Sequence, residues 1–207
     1  EPLYMLLELC GGGTVLEHIR NAFQAEVEFP NCQRLMVLNQ VCQAICHLHS
    51  SLIIHCDLKS NNLMFVTPLT PGTAPWVKVV DVGISRWVPR PDMASKVLPG
   101  RRHETEWRYW EPPEGGGEPG ETPSPTVDVY ALGTLVYELV MLKPPKPGHL
   151  TKPRGDWRAS PAVSLASRAA HFDPALRPES QVLAHEAAAL VEQDVNSAVV
   201  HWERDRE

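Results

Sequence analysis

Apolar positions change rhythm along the chain. Residues 3–9, LYMLLEL, are almost all apolar, which predicts a buried strand, and the CGGG that follows predicts a flexible connector. Thr14 with Glu17 three residues later has the form of a capping box, so TVLEHIRN, 14–21, predicts a short helix. From Asn31 to His49, Leu35, Leu38, Val41, Ile45 and Leu48 keep near-helical spacing and predict a long, mostly buried helix. PLTPGTAP reads as a loop, and WVKVV, 76–80, alternates as a strand and runs into Asp81-Val82-Gly83. A long irregular segment to about 125 precedes VDVYALGTLVYELVML, 127–142, which is apolar on most faces and predicts a central helix. Helical stretches near 162–171 and 179–193 flank the turn DPALRP. Short strands followed mostly by helices predict a helix-dominated α+β body.

Composition narrows the function classes. At 207 residues the chain can bury one good core or a large part of a two-lobed domain. A net charge of −6 leaves no electrostatic footprint for nucleic acid. No apolar run is long enough for a bilayer, so no membrane partner is expected, and EPLYMLLELC lacks the pattern of a signal peptide. Five cysteines, an odd number without a CxxC, fit reduced thiols in a cytoplasmic protein better than a disulfide framework. Cys42 and Cys46, with His47 and His49 beside them, could form a metal site, but their apolar helical neighbours favour core packing. The 20 prolines, about twice the usual share, concentrate at 68–75, 89–125 and 144–161 and mark irregular regions.

One stretch breaks the apolar pattern in a way that needs a reason. IIHCDLKSNNLMF, 53–65, passes from core-like residues through His-Cys-Asp, a Lys and two Asn, and back to core. Buried polar groups are costly unless paired or used. A polar loop between two core segments is the plain alternative. The run joins a long helix to a short strand, and a second strand ends in Asp81-Val82-Gly83, so two neighbouring strand ends would present Asp57, Lys59, Asn62 and Asp81 toward one cleft. A carboxylate to take a proton from a hydroxyl, oxygen ligands for magnesium and a nearby Lys are what phosphoryl transfer needs.

At these residues the chain resembles the C-terminal lobe of a protein kinase. His55-Cys56-Asp57-Leu58-Lys59-Ser60-Asn61-Asn62 is similar to the catalytic loop, Asp81-Val82-Gly83 to the magnesium-binding tripeptide, and Pro112-Pro113-Glu114 to the motif closing the activation segment. Asp128 matches the Asp that opens the central helix, and Arg177 the Arg that pairs with the closing Glu. DLKSNN most resembles the tyrosine-kinase-like Ser/Thr kinases. The resemblance implies a protein-kinase-like fold, a mostly helical large lobe with short strands at the cleft. It implies an ATP- and Mg²⁺-dependent Ser/Thr kinase acting on a protein substrate. Asp57 would be the base and Lys59 would sit by the transferred phosphate. Asn62 and Asp81 would hold metal, and Glu8 and Cys10 would lie at the hinge that meets adenine. Glu114 with Arg177 would form a buried structural pair, and Asp128 would cap loop amides. His55 would pack and hydrogen-bond. Ser85, Ser95 and Thr105 lie in the activation segment as solvated hydroxyls or phosphorylation sites.

The chain departs from the family pattern at several points. Cys56 stands where most members carry an Arg that receives an activation-loop phosphate, and Val82 replaces a Phe. TEWRYWEPPE is longer than the usual closing sequence, and GGGEPGE after it has the character of an insertion. No glycine-rich loop and no strand Lys paired to a helix Glu are found. The expectation is therefore a kinase domain over 1–195 that begins near the hinge, with a tail at 196–207, the small lobe missing here and expected upstream. A pseudokinase or scaffold module is the alternative, and a helical interaction domain unrelated to nucleotides a third.

Overall fold

Among the described residues five α-helices and two small β-ribbons form, most of them where the sequence signals above place them. The computed structural model describes residues 4, 6–24, 28–70, 72–83, 85–87, 109–114, 123–146 and 160–204, the side chains of the last helix through 194. Ser95, Thr105, the GGGEPGE stretch and most of the expected irregular segment lie outside the described residues.

Helix α1, Val15–Phe23, starts where its capping box sets it. Thr14 Oγ1 accepts the Glu17 amide at 3.2 Å, and Glu17 Oε2 accepts the Thr14 amide at 2.7 Å. Helix α2, Asn31–Ser50, buries Leu35, Leu38, Val41, Cys42 and Ile45, as its periodicity requires. Cys42 is fully buried in the core, and burial pushes its thiol up to about 12, the behaviour of a packing residue. Helix α3, Thr126–Met141, is buried almost all round and forms the centre of the molecule. Helix α4, Pro161–Ala169, opens on a proline whose missing N–H is no loss at a first turn. Helix α5, Ser180–Arg204, runs past the expected end near 193. α2 packs on both α3 and α5, and α3 on α4, enclosing one apolar core.

The described strands form two antiparallel ribbons. Strand β1, Ile53–Ile54, pairs with β4, Arg86–Trp87, and β2, Leu63–Phe65, pairs with β3, Val77–Val79, with Leu63 opposite Val79. The β1–β4 pair has no signal of its own, because two residues per strand are too few to show a period.

The strand expected over 3–9 does not form among the described residues of that run. Tyr4, Leu6, Leu7 and Leu9 are 90%, 99%, 73% and 87% exposed, and none is in a strand. Apolar composition alone does not make a strand: the backbone needs a ladder partner, and none of the described strands offers these residues one. Order begins one step later, where the amides of Gly11 and Gly12 donate to the carbonyls of Val66 and Phe65 at 3.0 and 2.9 Å.

Candidate active site

The HCDLKSNN run lies between β1 and β2, and α3 fixes it from below. Asp128, in the first turn of α3, is 1% exposed and uses both carboxylate oxygens on this loop. Its Oδ2 accepts the His55 amide at 2.7 Å and its Oδ1 the Cys56 amide at 2.9 Å. The backbone there is strained, with Cys56 at φ +68°, and paired amides are what keep a non-glycine residue in that region. The capping role expected of Asp128 is thus what the geometry gives.

Two histidines brace the same loop. The fully buried His55 ring meets the Val80 carbonyl through Nε2 at 3.2 Å. A carbonyl only accepts, so Nε2 carries the proton, and Nδ1 receives the Asp57 amide at 3.3 Å. His49 on α2 donates from Nε2 to Asp128 Oδ2 at 3.0 Å, while its Nδ1 lies 3.0 Å from Ser180 Oγ at the start of α5. Sequence reasoning gave His49 no part here: no local pattern announces contacts across such a separation.

Three of the expected residues come together. Lys59 Nζ lies 2.7 Å from Asp57 Oδ2, and Asn62 Nδ2 donates to Asp57 Oδ2 at 3.0 Å and to the Asp57 carbonyl at 2.8 Å. A one-turn 3-10 helix over Ser60–Asn62 turns Asn62 back toward Asp57. Asp57 and Lys59 stay about one-fifth exposed, and Lys59 also lies 5.5 Å from the Trp110 ring centroid. Asp81 follows β3 by two residues. The ribbon brings its neighbour Val80 against Asn62, with the Val80 amide 2.9 Å from the Asn62 carbonyl. The Asp81 carboxylate is exposed and accepts the Gly83 amide at 3.3 Å, with its backbone at φ +65°. It forms no hydrogen bond to the other three. Glu8 pairs with Lys78 on β3, and neither Glu8 nor Cys10 bonds to the Asp57 group. Cys56 turns its thiol to the Ile54 carbonyl, and burial, with the charge of Asp128, pushes it up to about 12.

A second polar centre adjoins the first. Tyr109 donates to Glu138 Oε1 at 2.6 Å. Glu138 is 1% exposed, and burial pushes its carboxyl up to about 7 against the bond from Tyr109. Sequence reasoning passed over both, although a lone acid inside VYELVML was a visible signal. Beyond them Arg177 forks onto Glu114, with Nη1–Oε1 at 2.5 Å and Nη2–Oε2 at 2.8 Å, and further donates to the carbonyls of Thr126 and His171. The expected structural pair is present but buried on one side only: the Arg177 side chain is fully buried, whereas Glu114 is exposed.

The protein kinase domain family model matches residues 1–196. The chain belongs to the protein kinase family. It is 32% identical over 145 residues to the probable serine/threonine-protein kinase PknB of Corynebacterium glutamicum, covering 70% of this chain and 20% of that protein. It is 29% identical over 143 residues to serine/threonine-protein kinase Nek3 of Mus musculus, covering 69% and 25%. It is 28% identical over 143 residues to serine/threonine-protein kinase PLK4 of Aedes aegypti, covering 69% and 16%. The chain thus spans a quarter or less of the length of these relatives. Among the described residues no helix is long and apolar enough to cross a membrane.

Proposed function

We propose that this kinase-family chain is the C-terminal lobe of an ATP-dependent protein Ser/Thr kinase, of the tyrosine-kinase-like type, with the domain portion over 1–195. The observation that carries the reading is the Asp57–Lys59–Asn62 group, joined by hydrogen bonds on a loop that Asp128 holds. Lys59 and Asn62 both bond Asp57 at Oδ2. Oδ1 is then the oxygen that orients a substrate hydroxyl and takes its proton. Lys59, tied to the same carboxylate, supplies positive charge next to the incoming phosphoryl group. The likeness in name and sequence to serine/threonine-protein kinases supports the choice of hydroxyl class.

The donor set fits a magnesium ion. Asn62 uses its amide nitrogen on Asp57, which leaves its oxygen as the ligand atom, and Asp81 offers an exposed carboxylate two residues beyond β3. All-oxygen ligation of low count is the Mg²⁺ preference. When bound there, the ion supplies neutralising charge for phosphate oxygens. Glu8 and Cys10, at the connector before α1, are the proposed adenine-side residues.

Calorimetry of Mg²⁺–ATP binding tests this, with Asp81→Asn as the control. Binding that disappears in the variant supports the reading, and equal binding by both proteins removes Asp81 from the metal site. A second reading, a binding module without phosphoryl transfer, draws on Val82, which is 57% exposed where a packed residue would tie down the segment. It predicts no Mg²⁺-dependent nucleotide binding.

A further inference from the structure

Next to the Asp57 loop a cavity of about 650 Å3 opens between α1 and the end of α3. Its charged lining among the described residues is Arg20, Lys59, Lys143 and Glu138. Arg20 and Lys143 are exposed, and Phe23 adds an apolar wall. Glu138 sits at the bottom, 1% exposed, with its Oε1 already taken by the Tyr109 hydroxyl at 2.6 Å. A cation in this space would face two exposed cations, and the one acid on the lining is buried with an oxygen already taken. An anion would meet the two exposed cations of the lining without uncovering a buried group.

Lys59 places the cavity relative to the chemistry. Its Nζ lies 2.7 Å from Asp57 Oδ2 while its side chain lines the cavity wall. An extended peptide advances about 3.3 Å per residue, so a side chain in the cavity belongs within a few residues of a hydroxyl at Asp57. The net charge of −6 favours basic partners at long range. Salt screens that field beyond about 8 Å, and inside the cavity the local cations decide.

Building on the kinase reading, we propose that this cavity is a specificity subsite for an acidic group of the protein substrate, a carboxylate or a phosphate, placed near the acceptor hydroxyl. Arg20 and Lys143 are its recognition residues.

The test is direct binding, which does not require phosphoryl transfer. Fluorescence anisotropy is measured on the full 207-residue chain, with peptides whose acceptor position is Ala. Glu, phosphoserine, Ala or Arg is placed in turn at each position within three residues of it. At one position an acidic residue is expected to bind about two- to fivefold tighter than Ala, the scale of one partly screened ion pair, and Arg weaker than Ala. The Arg20→Ala/Lys143→Ala double variant should lose that preference, while Lys78→Ala, outside the cavity, should keep it. Phosphoserine well above Glu identifies phosphate as the ligand, and equal binding identifies any acid. A preference for Arg, an acidic preference that survives the double variant, or no binding by any peptide overturns the proposal. Acid-selective binding by a chain that fails to bind Mg²⁺–ATP would leave the subsite standing and remove the kinase reading alone.

Discussion

Asp128 Oδ1 accepts the backbone amide of Cys56 at 2.9 Å, 72 residues away in sequence, and holds that residue at φ +68°. The same carboxylate takes the His55 amide and the His49 ring. A buried carboxylate with three donors is well satisfied, and an amide in its place would turn an N–H₂ toward one of those donors. Asp128→Asn should therefore destabilise the chain by about 2–3 kcal/mol, read from denaturant midpoints. Amide hydrogen exchange at His55 and Cys56 should speed up more than at Leu63 to Phe65.

Arg177 is fully buried at its side chain and spends its donors on Glu114 and on the carbonyls of Thr126 and His171. Lysine keeps the charge but cannot fork. Arg177→Lys should cost about 2–3 kcal/mol by chemical denaturation, and a loss under about 0.5 kcal/mol, the scale of an ordinary surface change, would show that the pair is idle.

Gly133 lies mid-helix on α3, where a side chain would collide with the neighbouring helix. A Cβ there would stand 2.6 Å from the Ala170 nitrogen and 2.8 Å from the Ala166 carbonyl oxygen. Both are backbone atoms and cannot swing aside. Gly133→Ala should lower stability by about 1–3 kcal/mol despite alanine's better helix propensity.

Glu138 gives the chain a pH dependence of known sign. Burial holds its carboxyl at about 7 in the fold against 4.5 for the free group. The native state keeps a proton that the unfolded chain releases across that window, so stability falls as pH rises from 4.5 to about 7 and then levels off. Glu138→Gln retains an acceptor for Tyr109 and removes the charge. It should flatten that slope and gain roughly 3 kcal/mol at pH 8 relative to the native chain, measured as the difference between paired unfolding curves.

Local signals carried much of this into the sequence. The Thr14–Glu17 box, the spacing in α2 and the largely apolar run of α3 each describe interactions made within a few residues, and all three form as expected. The polar break at 55–62 was legible because so many chemistry-bearing residues have no business between two core segments. What the sequence hid depends on distant partners. LYMLLEL has strand-like composition but no described ladder partner. His49 reaches Asp128 and Ser180, and Tyr109 reaches Glu138, across 79, 131 and 29 residues. No periodicity encodes such pairs.

We propose that Asp57 takes a proton during phosphoryl transfer. The most direct measurement is transfer of γ-labelled phosphate from Mg²⁺–ATP to a Ser-containing protein substrate, comparing the full-length protein with its Asp57→Asn variant. Asparagine keeps the size and can still meet Lys59, but it cannot accept the proton. A fall of about 10²–10⁴-fold in kcat with KM for ATP unchanged is predicted. Transfer by the variant at the native rate would contradict the account.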